Sequence, residues 1–251
     1  SPYTDSFVEL IGWIITEGSY DKTPGSERIT ITQFNDVRKN RIVKCAEEFR
    51  HSFNIKKKGR GSGICIAQLG SRKIFEILPE KKLTFEFINR LSRKQLEILY
   101  DAILEGDGAR QKTNDTLVQK NKETISAFQY LCILIGRQSR SYYRPPEYFK
   151  AGRFSKDGIS YVSVKKNEYA SGFKIEKKHY KGKVWFPTLP NGSIFIRRNG
   201  KTMPSFNTWN NYQLADTWWY IPAQGHWGVM AKRKQFIDFG GYPTVHRTYG
   251  G

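Results

Sequence analysis

Residues 99–108 read Leu-Tyr-Asp-Ala-Ile-Leu-Glu-Gly-Asp-Gly, an apolar run that ends in an acid followed by glycine. An earlier stretch, residues 10–18, reads Leu-Ile-Gly-Trp-Ile-Ile-Thr-Glu-Gly and ends in the same way. A single run of this kind is typical of an amphipathic core helix with a glycine C-cap. Two copies in one chain favour a repeated structural unit, with Glu17 and Asp107 in matching places.

The two runs also match in their small residues. When they are aligned on their final acid and glycine, Gly12 lies over Ala102 and Thr16 over Gly106. Residues four apart lie on one face of a helix, so each run is predicted to present a smooth strip to another helix. If the strips pack together, the two carboxylates meet at the end of the helix pair. Adjacent carboxylates favour a divalent cation between them, so a metal site is predicted.

Residues 10–18 and 100–108 resemble the two signature helices of a single-chain, two-repeat LAGLIDADG homing endonuclease. The resemblance implies an α+β fold of two αββαββα repeats, whose antiparallel sheets form a pseudo-two-fold saddle on DNA. It also implies double-strand cleavage by Mg²⁺, or another divalent cation, held by Glu17 and Asp107. The first copy departs from the family by carrying Glu17 where aspartate is commoner.

The composition agrees with a nucleic-acid partner. The 251 residues carry a formal net charge of +19 at pH 7, with the basic residues spread through the first two hundred positions. This distribution favours a binding surface built into the fold, although a ribosomal or packaging protein would share it. No apolar run approaches the roughly 18 residues of a membrane span. The three cysteines are too scattered for a zinc site or a disulfide framework, which favours a reducing compartment.

Strand and helix patterns follow each of the two runs in the same order. After the first run, hairpin patterns at 19–33 and 54–69 flank a helical pattern at 37–53, and a short helix with Ser71 as its N-cap is expected at 71–78. After the second, hairpins at 107–120 and 137–166 flank a helix at 124–136. Ser92 is the expected N-cap of the second signature helix. We therefore predict repeats over 1–95 and 96–180.

The resemblance also nominates residues beyond the two acids. Glutamines or lysines near the metals organise water in this family, and the candidates here are Gln33, Gln119, Lys165 and Lys166. Alternate strand residues that face DNA are expected to supply the contacts; they are Arg28, Thr30, Thr32, Lys57, Arg60, Arg110, Lys112, Arg140, Tyr142 and Arg144. For any one of them a solvated strand face is the ordinary alternative.

A second resemblance begins after the repeats. Residues 181–207 resemble the closing hairpin of an intein splicing domain, with a turn at Asn191-Gly192 and Asn207-Thr208 where an intein would end. Phe206 replaces the usual penultimate histidine, and the alternative is a plain β-hairpin. Residues 208–251 hold four of the six tryptophans and are predicted to be a host-protein segment or an aromatic-rich extension.

The sequence thus favours an intracellular, monomeric, intein-associated endonuclease with a long, specific duplex target and a host-protein partner at 208–251. It would lie in the cytoplasm or on the nucleoid, or be encoded by a phage or organelle, with no membrane association. The rivals are a catalytically inactive, maturase-like module that binds DNA or RNA, and a basic protein recruited to an assembly through its tail.

Overall fold

The computed structural model describes residues 1–49, 53–58, 61–67, 69–148, 157–166, 179, 181 and 193–206. The chain forms two compact units, one made of Ser1–Lys166 with Arg198–Thr202 and the other of Asn167–Arg197 with Met203–Gly251. The predictions for Arg60, Asn191-Gly192, Asn207-Thr208 and 208–251 fall outside the described residues. Among the described helices, none has the length and apolar character needed to cross a membrane.

The first repeat has the predicted order of elements. They are α1 (Asp5–Glu17), β1 (Gly18–Asp21), β2 (Arg28–Gln33), α2 (Asp36–Ala46), β3 (Phe53–Lys58), β4 (Gly61–Ala67) and α3 (Leu69–Ile77). Its sheet is antiparallel, with the strand order β1-β2-β4-β3. The helix predicted at 37–53 is shorter than expected: it ends at Ala46 and continues as a 3-10 turn over Glu47–Phe49.

The second repeat follows a short helix, α4 (Phe85–Asn89), that the sequence did not predict. Its elements are α5 (Arg93–Asp107), β5 (Gly108–Arg110), β6 (Asn114–Gln119), α6 (Lys122–Leu134), β7 (Ser139–Arg144) and β8 (Ile159–Lys165). These strands are antiparallel in the order β5-β6-β8-β7. The predicted two-repeat α+β architecture is therefore confirmed by element order and sheet topology.

Two strands follow the repeats, β9 (Ser193–Arg198) and β10 (Lys201–Phe206). They are joined by Asn199 and Gly200, whose φ angles of 50° and 73° make a left-handed two-residue turn. At the start of β10, Lys201 pairs with Arg140 of β7. The second sheet thus continues beyond the four strands that the repeat predicts.

Helix α5 begins where the sequence places its N-cap. Ser92 Oγ accepts a hydrogen bond from Gln95 N, and the Gln95 side chain accepts one from Ser92 N, which completes a capping box. The N-cap prediction for Ser71 is wrong, because α3 begins at Leu69 and Ser71 lies within it. The Ser71 hydroxyl donates to Glu27 O instead, a contact of α3 with the chain just before β2.

The core lies between the helices and one face of each sheet. Nine residues of α1 are buried, including Trp13, and seven of α5, including Tyr100. Each sheet contributes alternate residues to this core, such as Ile29 and Ile31 of β2 and Val162 and Val164 of β8. The other set of strand residues forms what we call the open face of each sheet.

Candidate metal centre and nucleic-acid interface

The two small-residue strips contact each other, as the sequence predicted. A Cβ atom added at Gly12 would lie 2.5 Å from Ala102 Cβ, and one added at Gly106 would lie 2.1 Å from Thr16 Oγ1. The Thr16 hydroxyl lies against Gly106 in this interface, and its hydrogen-bonding needs are met within its own helix, at Gly12 O (3.1 Å) and Trp13 O (3.2 Å). The helix backbones therefore approach as closely as small side chains permit.

Glycine follows each acid because the chain passes from helix to strand within one residue. Gly18 and Gly108 are the C-caps of α1 and α5 and also the first residues of β1 and β5. A Cβ at Gly18 would lie 2.5 Å from Ile14 O, and one at Gly108 would lie 2.6 Å from Leu104 O. The need for glycine is thus steric, since neither φ angle is left-handed. Each acid is held at the last turn of its helix.

Asp107 and Glu17 repel each other in a partly dry site. Burial raises the pKa of Asp107 to about 6, and the negative charge of Glu17 contributes to this rise. Burial also raises the pKa of Glu17, against the opposing effects of Arg38 and Lys81. Among the described residues neither carboxylate forms an ion pair. The site therefore gathers negative charge that would be relieved by a cation.

Lys81 is a site residue that sequence reasoning missed. It lies in the turn between α3 and α4 with a left-handed backbone (φ 54°), and its Nζ donates to Thr16 O at 3.3 Å. Burial lowers the pKa of Lys81, while the charges of Asp107 and Glu17 act to raise it. One ammonium group therefore faces both carboxylates. The sequence could not predict that Lys81 lies near the carboxylates, because a residue in a turn belongs to no helix or strand period.

The two predicted glutamines occupy corresponding strand ends but make different contacts. Gln119 Nε2 donates to Asp107 Oδ2, so this amide contacts a candidate metal ligand. The buried Gln33 turns its Oε1 to the backbone N–H groups of Phe34 and Asn35, both at 3.0 Å. Only the second repeat therefore brings its glutamine to the carboxylate.

The structure does not bring Lys165 and Lys166 to the carboxylates. Strand β8 is antiparallel to β6, so Lys165 pairs with Asn114 whereas Ser160 pairs with Gln119. The two lysines thus lie at the far end of β6, about 17 Å from Gln119 at the usual rise per residue. Lys166 instead lies 2.8 Å from Asp115 Oδ1, a carboxylate that is 1% exposed.

The buried Asp115 has further partners in the second repeat. Tyr100 donates its hydroxyl proton to Oδ2 at 3.0 Å, and Arg137 Nη1 lies 3.6 Å from the same oxygen. The Arg137 guanidinium also covers the Tyr100 ring at 4.3 Å from its centroid. These contacts make Lys166 part of a structural ion cluster between α5 and β6.

Several predicted DNA contacts share the open faces of the sheets. On β2 the open-face residues are Arg28, Thr30 and Thr32, which alternate with buried residues. On β7 they are Arg140, Tyr142 and Arg144, and the register aligns Tyr142 with Tyr161 and Arg140 with Ser163 of β8. Lys112 is exposed in the turn between β5 and β6.

One predicted contact, Arg110, lies in the wrong row of its strand. Arg110 pairs across the sheet with Asp115, in the row that faces the helices, and forms ion pairs with Asp101 (2.6 Å) and Glu105 (3.7 Å) of α5. The backbone of Lys57 pairs with Ser62 of β4, and the side chain of Lys57 lies outside what the structure describes. Side chains alternate across a strand, so a shift of one residue exchanges the two faces.

Sequence reasoning also missed Tyr161, which lies beside Tyr142 on the second open face. The two rings are stacked, with centroids 5.0 Å apart and an interplanar angle of 3°. The Arg144 guanidinium lies 4.8 Å from the Tyr161 centroid and 4.5 Å from that of Tyr148. Cations interleaved with aromatic rings suit contact with both phosphates and bases.

Comparisons with known proteins give similar folds at low identity. No protein-family model matches the chain, and no curated protein matches it. A structure of mesophilic variants of the homing endonuclease I-DmoI is 14% identical and covers 64% of this chain and 84% of its own, with a TM-score of 0.49. The structure of I-DmoI in complex with DNA and Mn is 13% identical to this chain; the match covers 64% of this chain and 89% of I-DmoI, with a TM-score of 0.47. Full-length DUF199/WhiA from Thermatoga maritima is 11% identical to this chain; the match covers 66% of this chain and 53% of DUF199/WhiA, with a TM-score of 0.43.

Proposed function

We propose that the chain is a metal-dependent DNA endonuclease in which Glu17 and Asp107 hold the divalent cations. The observation that carries this proposal is the pair of partly buried acids at the end of the helix pair, where burial, and then the charge of Glu17, raise the pKa of Asp107 to about 6. A fold gains nothing in stability from two unpaired acids at the end of a packed helix pair. A bound cation would offset the repulsion between the two carboxylates, which accounts for their position side by side.

The donor set fits a magnesium-type ion. Mg²⁺ prefers carboxylate oxygens, keeps several waters and is commonly held by one or two carboxylates together with substrate phosphates. No group of three or more acidic, histidine or cysteine side chains suited to a metal exists among the described residues. Phosphate oxygens and water would therefore complete the coordination of ions held by Glu17 and Asp107.

The remaining side chains at the site suit phosphodiester hydrolysis. Bound divalent cations supply an activated water and neutralise charge on the scissile phosphate. Gln119 would orient Asp107 through its amide, and the ammonium of Lys81 would add positive charge beside the two carboxylates, where a phosphate held by the cations would carry negative charge. With one acid from each repeat, each strand of a duplex has its own carboxylate, so we propose a double-strand break.

The open faces supply a surface for duplex DNA. Arg140, Arg144 and Lys165 provide cations for phosphates, and the tyrosines and threonines provide edges for base contacts. If about 8 phosphates are neutralised, the logarithm of the association constant should fall with a slope near −7 against the logarithm of salt concentration. Base contacts in the major groove would decide which site is cut.

A cleavage selection tests this proposal. The purified chain is incubated with a randomised duplex library and Mg²⁺, and the ends produced are sequenced. We expect site-specific ends that disappear in Asp107→Asn and Glu17→Gln while duplex binding persists. Asp101→Asn is the matched control, because it removes an acid from the same helix outside the site. Cutting that persists in both site variants would overturn the assignment of the metal ligands.

A binding module without cleavage is the second candidate. The observation that favours it is the ammonium of Lys81, which already faces the two carboxylates and would compete with a metal. In that case the selection yields bound duplex and no ends, and Mg²⁺ leaves the melting temperature of the protein unchanged. Lys81→Met would then restore a Mg²⁺-dependent rise in melting temperature.

A further inference from the structure

The turn at Arg198–Thr202 is built into the second repeat, although it follows that repeat by some thirty residues of chain. Gly200 O accepts hydrogen bonds from Ser141 N (2.7 Å) and from the buried Gln129 Nε2 (2.9 Å). Its left-handed φ of 73° favours glycine, and a Cβ there would lie 2.0 Å from Ser141 O. The turn is therefore seated directly on β7.

Thr202 fixes the turn from its other side. Its side chain is 4% exposed, and its Oγ1 donates to Ser139 O at 3.1 Å. Gln129 Nε2 also lies 3.4 Å from Ser139 Oγ, which joins α6 to the same network. Polar groups that are buried and satisfied in this way give one defined position. The residues of the turn that point outward are thus held in place.

Two of those outward residues, Arg198 and Lys201, form a row of three cations with Arg140 of β7. Lys201 is the register partner of Arg140, and both are exposed. A two-residue turn puts the residues on either side of it directly opposite each other, so Arg198 stands opposite Lys201. Because neighbours across strands share a face, the row runs along the open face of the second sheet. The usual strand separation spaces the backbones that carry these cations by about 4.8 Å.

Like charges directly opposite one another destabilise a sheet. None of the ion pairs formed by the described residues involves Arg140, Lys201 or Arg198. By contrast, Arg110 and Lys166 of the same repeat are paired with acids. A row of three cations that has no acidic partner in the part of the chain that the structure describes is one that an anionic backbone would neutralise.

We propose that the Arg198–Thr202 turn extends the second sheet into a phosphate-binding row, and that this row holds duplex DNA beyond the part covered by the four strands of the repeat. The inference rests on the proposed function, because it takes duplex DNA as the ligand. It adds that the DNA site is longer on the side of the second repeat. It also assigns a binding role to a turn outside both repeats.

Salt-dependent binding of a long duplex tests the row. Full-length protein is titrated into a labelled 60-bp duplex pool without metal, at a series of KCl concentrations. Arg198→Ala/Lys201→Ala should reduce the slope of log K against log salt by about 1.8, because each lost phosphate contact removes about 0.9. Near 0.15 M salt this corresponds to binding that is about 30-fold weaker.

The control removes the same charge elsewhere. Lys44→Ala/Lys94→Ala takes two exposed lysines from helices α2 and α5 and should leave the slope nearly unchanged. Relief of like-charge repulsion should also raise the melting temperature of Arg198→Ala/Lys201→Ala without DNA, which shows that the variant folds. Equal slopes for the two double variants would overturn the proposal.

Footprinting and other ligands separate this inference from the proposed function. On a cleavable site, the Arg198→Ala/Lys201→Ala variant should lose protection at one end only and still cut. Unchanged protection with normal cutting would refute the extension and leave the endonuclease standing. If wild-type protein binds no duplex, both fail. A slope change seen with duplex RNA and not with DNA would show that the row serves another ligand.

Discussion

Replacing Asp107 by asparagine should stabilise the metal-free protein at neutral pH. The pKa of Asp107 is raised from 3.8 to about 6 by burial and by the charge of Glu17, so the folded state favours the protonated carboxyl. Below pH 3.8 both folded and unfolded chains hold this proton, and the group has no effect. As the pH rises to 6 the folded state loses stability, and above pH 6 the full cost is present.

The size of the effect follows from the two pKa values. A difference of about two pH units corresponds to about 3 kcal/mol above pH 7. The gain from Asp107→Asn should therefore be about 0.5 kcal/mol at pH 4, about 2.5 at pH 6 and about 3 at pH 8. Asparagine can keep the contact with Gln119, because each amide offers both a donor and an acceptor.

Urea denaturation of wild type and Asp107→Asn in EDTA, at pH 4 to 8, measures this profile. Glu17→Gln should act in the same direction, since burial also raises the pKa of Glu17. The double variant should gain less than the sum of the single gains, because either change removes the repulsion. A loss of stability in Asp107→Asn at pH 8, or a gain that does not vary with pH, would refute the raised pKa of Asp107, and gains that add in full in the double variant would refute the coupling of the two acids.

Magnesium should reverse the order of stability. At 1,000 times its dissociation constant a bound ion adds about 4.1 kcal/mol to the folded state, which exceeds the gain of about 3 kcal/mol from Asp107→Asn. Wild type should gain this stability when Mg²⁺ replaces EDTA at pH 8, and Asp107→Asn should not. Equal responses of both proteins would show that Asp107 does not hold the ion.

Three further predictions concern the helix pair, the buried acid and the glutamines. Gly106→Ala should cost about 1–3 kcal/mol because the new methyl group meets Thr16, and adding Thr16→Gly should recover part of that loss in urea denaturation. Asp115→Asn should cost about 1–2 kcal/mol, since Lys166 and Arg137 lose their anion but are themselves partly exposed; no measurable cost would show a solvated cluster. Gln119→Ala should slow cleavage with binding retained, whereas Gln33→Ala should lower the melting temperature, and equal effects in both assays would contradict their different contacts.

The helix pair could be predicted from sequence because its determinants are local and repeated. The match of Gly12 with Ala102 and of Thr16 with Gly106 needs only the helical period and one alignment. The structure adds that the matched residues contact each other across the interface. The N-cap at Ser92 was equally local, since the cap and its Gln95 partner lie three residues apart.

Other parts of the site depended on contacts that the sequence pattern does not contain. Lys81 reaches the carboxylates through a left-handed turn, which no periodicity reveals. Lys165 and Lys166 were wrongly predicted to lie near the carboxylates. Their position along the sheet depends on the register of β8 with β6, which the sequence does not give, and that register places them at the opposite end of β6 from Gln119. The prediction that Arg110 contacts DNA was wrong for the same reason, because a register shift of one residue moves a side chain from the open face to the face that packs on the helices.

The registers also show how the two halves differ. Gly18 pairs with Ile31 and Gly108 with Leu117, so Ile29 of the first repeat corresponds to Asp115 of the second. Where the first repeat packs an apolar side chain, the second buries a carboxylate. That carboxylate binds two cations close to the sheet edge, and the cations left unpaired lie on the open face. The second repeat therefore pairs two cations with one buried acid, while Arg140 on its open face has no acidic partner among the described residues and lies next to Lys201 of the Arg198–Thr202 turn.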